Sequence, residues 1–308
     1  MRKNITGWLA LSAALLIFSS AFADDLKVNI GYATALHGEI AAVLGKTDIG
    51  KKYGLDIKTV FFQYGPPQIE ALVSKSIDVS FTSLVPTGTF LSKQPGVVVV
   101  IAGLGNSYHG LVVPADSPIH SIKDFKGKSI AVAFGTDAYV DLLSDLKKAG
   151  LDPAKDVKLL NVPPNEQPAA LEQKLADGVL LRQPQLFKFI KKGARQIKRW
   201  PHQFWVIARS DYLKENPQAR EALVQAIREA VLFVVQNPQK SAAWFAGDLR
   251  LDPALVEKIA AENPLYDGVK TLKDVSVEVS PELKAFADKR AQELLDFGQV
   301  QSLPQYIY

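Results

Sequence analysis

Along the chain, apolar positions change period repeatedly, from every second residue to every third or fourth and back. Val28 and Ile30 alternate with polar neighbours as in a strand, and the turn Gly31-Tyr32-Ala33-Thr34 follows. Ile40, Val43 and Leu44 then take helical spacing, closed by Gly54. A second strand is predicted over 57–62. Tyr64-Gly65-Pro66-Pro67-Gln68 opens a helix carrying Ile69, Leu72 and Val73, and Ile77, Val79 and Phe81 alternate as a third strand.

The same order is written a second time. A strand over 130–134 leads to Gly135-Thr136 and a helix with Leu142, Leu143, Leu146 and Ala149 on one side, stopped by Gly150. A strand over 157–162, the turn Pro163-Pro164-Asn165, a helix around Leu171 and Leu175, and a strand at 179–181 complete the copy. Thr34 and Thr136, Gly54 and Gly150, and Pro66 and Pro163 are separated by 102, 96 and 97 residues. A repeat at nearly constant offset predicts two similar α/β lobes, each with a mainly parallel sheet flanked by helices.

Between the copies, 97–101 reads as a buried strand, and 111–113 and 204–208 read as strands on which the chain crosses between lobes. Beyond Ala208 the pattern is helical. Leu223, Ile227, Ala230 and Val234 share a face, and Asn237-Pro238, Asp252-Pro253 and Ser280-Pro281 read as helix starts. This tail is expected to pack back on the first lobe. The predicted organisation is therefore a leader over 1–23, a first lobe over 24–110 and 206–308, and a second lobe over 111–205.

The N-terminus adds a compartment. Arg2 and Lys3 precede an apolar stretch from Leu9 to Phe18, and Ala21-Phe22-Ala23 has the small-x-small form of a cleavage site. Cleavage after Ala23 would leave 285 residues with a net charge of +2, since the leader removes two cations from the +4 of the whole chain. So small a charge gives nucleic-acid binding no electrostatic support. The chain has no cysteine, which excludes disulfides, thiolate metal sites and a thiol nucleophile. No phosphate-binding loop, His-Glu-x-x-His, Gly-x-Ser-x-Gly or dinucleotide fingerprint is present, so neither enzyme, cofactor nor metal is expected. The four histidines are scattered, and Asp137 and Asp141, one helical turn apart, read as a solvated face.

In open α/β sheets ligands bind beyond the carboxyl ends of the strands, beside helix N-termini that favour anions. Those edges supply Thr34, His37, Tyr64, Gln68, Thr82, Ser83, Tyr108, Thr136, Asp137, Tyr139 and Asn165 as candidate ligand contacts, and none of the edges contains Lys or Arg. The nearest cation is Arg182, followed by Gln183, after the last strand of the second copy. Each has a plainer reading: turn glycines, helix-capping threonines, core or rim tyrosines, hydrogen-bonded histidines. A multiply charged phosphate would ordinarily demand an arginine clamp, so the edges suit a monoanion or a polar molecule with a flat body.

Several stretches resemble the nitrate/sulfonate/taurine-type periplasmic binding proteins, a family that also contains thiamin-pyrimidine-precursor receptors. They are Lys52-Tyr53-Gly54-Leu55-Asp56-Ile57, Ile77-Asp78-Val79-Ser80-Phe81, Leu111 through Ile119, Ile122 through Lys128, and Lys148 through Pro153. The resemblance implies a two-lobed periplasmic-binding-protein fold that closes on its ligand by hinge motion. It implies turns around Thr34, Tyr64 and Ser83 facing turns around Thr136 and Asn165. It further implies a soluble, monomeric periplasmic protein that hands a small molecule to the inner-membrane permease of an ABC importer. One departure concerns the ligand. Where the family has Val-Asp-Ala and then an acid before Pro-Tyr, this chain has Val179-Leu180-Leu181-Arg182-Gln183-Pro184-Gln185. Gln183 in place of an acid, beside Arg182, favours an anion of the sulfonate or carboxylate type over an amine, the alternatives being a receptor for a pyrimidine or other aromatic heterocycle, or an extracytoplasmic ligand sensor or partner protein.

Overall fold

The computed structural model describes residues 25–308; the predicted leader lies outside them. The first repeat folds as β1 (Leu26–Ala33), α1 (Gly38–Lys46), β2 (Leu55–Phe62), α2 (Gly65–Val73) and β3 (Val79–Ser83), then α3 (Leu84–Leu91). A long strand, β4 (Val98–Val113), leads into the second repeat. This comprises β5 (Ser129–Val132), α4 (Asp137–Lys148), β6 (Lys158–Asn161), α5 (Gln167–Glu172), β7 (Gly178–Arg182) and α6 (Gln185–Lys191). A second long strand, β8 (Arg195–Arg209), returns to the first, and the tail follows as α7 (Ser210–Glu215), α8 (Ala219–Gln236), α9 (Pro238–Leu249), α10 (Pro253–Ala260) and α11 (Pro281–Asp296).

The strands run in the order β2-β1-β3-β8-β4-β7-β5-β6. β1 is parallel to β2 and β3, and β5 is parallel to β6 and β7, as the repeat predicts. β4 and β8 pair with each other, antiparallel, from Val98–Arg209 at one end to Val113–Arg195 at the other. Each half therefore reads 2-1-3 plus the two long strands, with one strand running against the rest. The register of this central pair shifts between Gly103 and Asn106, where Gly105 takes a left-handed φ of 69°. Among the described residues, these are the two strands shared by both halves, and this irregularity lies at their waist.

The sequence pattern captured only the ends of these strands. Gly103, Gly105, Asn106 and Ser107 interrupt the apolar run of β4 because they form the irregular waist. The first part of β8 carries Arg195, Lys198 and Arg199 because it is the sheet edge of the second half, where cations keep an exposed edge from pairing further. Further on, β8 lies between β3 and β4, and Phe204 through Ala208 become wholly buried. The opposite edge of β4 is capped by the tail: Val100 N–H donates to Ile307 O at 2.7 Å and Gly103 N–H to Val277 O at 2.8 Å. The short helices α3 and α6 also escaped the pattern.

Two cores result. α1, α8 and α9 pack on one face of the first half around Ile40, Leu44, Phe204 and Phe245, so the tail does cover the first lobe. In the second half Phe125, Leu111, Ile130, Leu142 and Leu146 form a separate cluster. At its centre a Cβ on Gly178 would stand 2.6 Å from the Phe125 ring, which is fully buried. Gly178→Val should therefore cost ~1–3 kcal/mol through overpacking, read as a lowered urea midpoint. Unchanged stability would show that this core yields more readily than its packing implies.

Candidate functional site

Between the halves lies a cavity of about 550 Å³. The first half contributes Thr34, Phe61 and Gln63 from the ends of β1 and β2. The second contributes Asn165 and Gln167, with Arg182, Gln183 and Gln185 from the end of β7. A third wall, Asp248 to Leu251, comes from the turn after α9. Four expected contacts, Thr34, Asn165, Arg182 and Gln183, are thus brought together. The wall at 248–251 was missed because it belongs to the helical tail, where only the helix start at Asp252-Pro253 was legible.

Arg182 dominates the chemistry of this cavity. It is half-buried and has neither hydrogen bond nor ion pair among the described residues. Burial pulls its guanidinium down to about 10, offset in part by the charge of Asp137, so it remains cationic at neutral pH. The neighbouring carboxamides are largely set by their surroundings. Gln183 Oε1 accepts the Phe187 N–H at 3.1 Å, leaving its NH2 group unengaged, and Gln167 Nε2 donates to Val162 O at 3.0 Å. Thr34 Oγ donates to Gln63 O at 3.0 Å, bracing the two first-half turns. Asp248 Oδ2 accepts from the Tyr32 hydroxyl at 2.6 Å.

The other candidates do not line this cavity. Gln68 is fully buried and donates to Ser80 Oγ and Phe81 O, tying α2 to β3. Thr82 and Ser83 are buried at the end of β3. Thr136 donates to Ala133 O at 2.7 Å and shapes the turn before α4. Tyr64 is half-buried at the start of α2, Tyr108 lies under the Arg199 guanidinium at 3.5 Å, and Tyr139 stacks on Phe134 at 4.4 Å.

His37 and Asp137 belong to a second feature, a buried polar seam, which corrects two readings of the sequence. Asp137 and Asp141 are not a solvated face, and three of the histidines are not scattered. Asp137, Asp141 and Asp145 lie at four-residue spacing on α4, so one stripe of the helix meets the long strands. Asp137 Oδ2 is 3.7 Å from His202 Nε2, Asp141 Oδ2 is 2.9 Å from His109 Nε2, and Asp145 Oδ2 accepts from Trp200 Nε1 at 3.1 Å. His202 and His109 stand 5.2 Å apart, and Phe204 separates His202 from His37, whose Nε2 donates to Phe81 O at 2.9 Å. Arg290 of α11 closes the seam from the first half, donating to Asp141 Oδ1 at 2.6 Å. Asp137 also accepts the Val85 N–H at the start of α3, 3.4 Å away. The seam therefore joins α4 to the strands of the waist and to both α3 and α11. Sequence spacing alone could not reveal it, because its partners come from four distant segments.

Burial and charge set the protonation of this seam. Burial alone would raise the Asp137 carboxyl, but His202, Arg290 and Ser83 outweigh it and hold it well below the carboxylate range. Burial pushes His202 down to about 4 against the pull of Asp137, and pushes His37 down to about 3. Both imidazoles are therefore neutral in the folded protein while their unfolded counterparts titrate near 6.5. The unfolded chain takes up protons that the fold refuses, so stability is fully present above about 6.5 and declines as pH falls toward 4. A melting temperature that drops over this window, and drops less in His202→Gln, is expected; a flat profile would contradict neutral buried histidines.

Among the described residues, no cluster of three His, Cys, Asp or Glu is placed to hold a metal, and no helix is long and apolar enough to cross a membrane. A binding protein of Brucella abortus is 29% identical over 96% of this chain and 93% of its own length. A protein of Escherichia coli named for binding aliphatic sulfonates is 25% identical over 91% of this chain and 89% of its own. Among solved structures, the alkanesulfonate-binding protein SsuA of Xanthomonas axonopodis pv. citri bound to MOPS superposes with a TM-score of 0.74 at 21% identity. That match covers 92% of this chain and 96% of the other. These matched proteins are binding proteins rather than enzymes, and the fold they share with this chain is the periplasmic-binding-protein fold. Residues 51–241 match the family described as NMT1/THI5 like, and the chain belongs to that family.

Proposed function

We propose that this protein is the periplasmic solute-binding component of an ABC importer, and that it captures a small organic anion of the sulfonate or carboxylate type. The observation that carries the reading is Arg182, whose guanidinium has no hydrogen bond or ion pair among the described residues, inside the cavity between the halves. A partly desolvated guanidinium gains most from an anion that pairs with it in the fork geometry carboxylates and sulfonates offer. The sulfonate-binding relative in Escherichia coli supports the same class.

In this reading the lobes are 24–110 with 206–308, and 111–205, and the leader is removed after Ala23. The anion enters between them and pairs with Arg182 and the free NH2 of Gln183. Rotation about the waist at Gly103–Asn106 then brings Thr34 and Gln63 over it. The closed monomer presents its ligand to the permease, and no covalent step is involved. The heterocycle alternative loses support because Tyr64, Tyr108 and Tyr139, its stacking platforms, lie outside the cavity lining.

The test is a thermal-shift panel of sulfonates, nitrate, carboxylates and pyrimidines on protein stripped of ligand by unfolding and refolding. A true ligand at 100 times its Kd adds ~2.7 kcal/mol, a shift of several degrees for a chain of this size. Arg182→Gln should weaken binding of the responding anion at least tenfold, since a hydrogen bond to a charged group contributes ~1.5–3 kcal/mol. A response confined to pyrimidines, or an Arg182→Gln variant that binds its anion as well as the parent, would overturn the reading.

A further inference from the structure

The cavity is large for a single anionic group. At about 550 Å³ it falls in the range of sites that enclose whole organic molecules, roughly 300–1,000 Å³. It also does not end at Arg182. Arg250 and Leu251 line both this cavity and an adjoining groove of about 540 Å³ between α6 and α10. Lys188, Lys191 and Lys258 line that groove, and the ammonium groups of Lys191 and Lys258 each lie 5.2 Å above the Phe187 ring.

Charge across the two spaces is one-sided. Five cations, Arg182, Arg250 and the three lysines, face two carboxylates. Both carboxylates are already engaged: Asp248 accepts from Tyr32, and Asp252 Oδ1 accepts the Ala254 N–H at 3.0 Å as a helix cap. Arg250 itself ends α9 in a left-handed conformation, φ 53° and ψ 48°, a position that favours glycine. Its backbone N–H is spent on Ala246 O and Gly247 O, and its side chain is exposed with no ion pair among the described residues. The cation-free strand edges suggest a monoanion; the tail supplies the second cation that those edges lack.

From this arrangement we infer that the ligand is a dianion, one acidic group paired with Arg182 of the second half and the other with Arg250 of the first. The inference rests on the reading of Arg182 as the anion anchor. Arg182 sits at the end of β7 and Arg250 on the tail that packs against the first half, so the two charges approach as the cleft closes. Their repulsion opposes closure of the empty protein. A molecule with an acidic group at each end removes that repulsion and links the halves, whereas a monoanion neutralises one side only. Arg250 is then a specificity-determining residue that selects for the second charge.

Isothermal titration of the ligand-stripped chain with matched pairs tests this: propanedisulfonate against propanesulfonate, and glutarate against pentanoate. In at least one pair the dianion should bind tenfold or more tightly than its monoanion. Arg250→Gln, a change at an exposed position, should abolish that advantage, bringing the dianion down to the affinity of its monoanion. Arg182→Gln should weaken both members of the pair. Equal affinities within both pairs, or a dianion advantage that survives Arg250→Gln, overturns the dianion inference while leaving Arg182 as anchor. Absence of binding by all four probes, or an Arg182→Gln variant that binds them as the parent does, overturns the anchor and the inference together.

Discussion

The antiparallel pairing of β4 with β8 is the constraint on which the rest depends. Two strands of 16 and 15 residues run through both halves of the sheet, so each half owns three strands and shares two. Everything that bears on ligand capture is placed by that pair. Its register breaks at Gly103–Asn106, midway between the halves, and its histidines face α4. Because the repeated units flank it on opposite sides, their strand ends point into one common space. The cavity follows from this topology rather than from any single loop.

Polar groups at the waist are organised as strictly as the apolar cores. Buried charges are costly unless paired, and the seam meets that demand in part: Asp141 meets His109 and Arg290 and Asp145 meets Trp200, while Asp137 Oδ1 and both ring nitrogens of His202 have no hydrogen-bond partner among the described residues. Removing one partner of such a network strands the rest, which makes the seam a stronger fixer of geometry than an equal area of apolar contact. Arg182 differs from these groups in lining the cavity. It lies within the influence of Asp137 yet has no hydrogen-bonding partner of its own.

Much of the fold was legible because parallel strands, helices and their glycine stops leave local signatures. The repeat offset, the three strands of each copy and the Pro-initiated helices all appear where the pattern places them. Local signatures also explain the omissions. The glycines of the β4 waist and the cations of the β8 edge look like loop in sequence because they occupy a register break and a sheet edge. Of the residues picked by the rule that ligands meet strand ends, Thr34, Asn165, Arg182 and Gln183 line the cavity, whereas Gln68 and Thr136 lie outside its lining and hydrogen-bond, respectively, to β3 and within the turn before α4. Arg250 and the acidic stripe were invisible to it. Their meaning comes from what separate segments bring together, the partners of the acidic stripe lying 32 to 149 residues away along the chain, and no spacing in the chain encodes that.

The most direct measurement is a crystal structure of the ligand-stripped protein grown with the sulfonate or carboxylate that stabilises it most. Anion capture in the cavity predicts density for the acidic group within hydrogen-bonding distance of the Arg182 guanidinium, with Thr34 and Gln63 on its far side. Density for the anion elsewhere, with Arg182 still unpartnered, would contradict it.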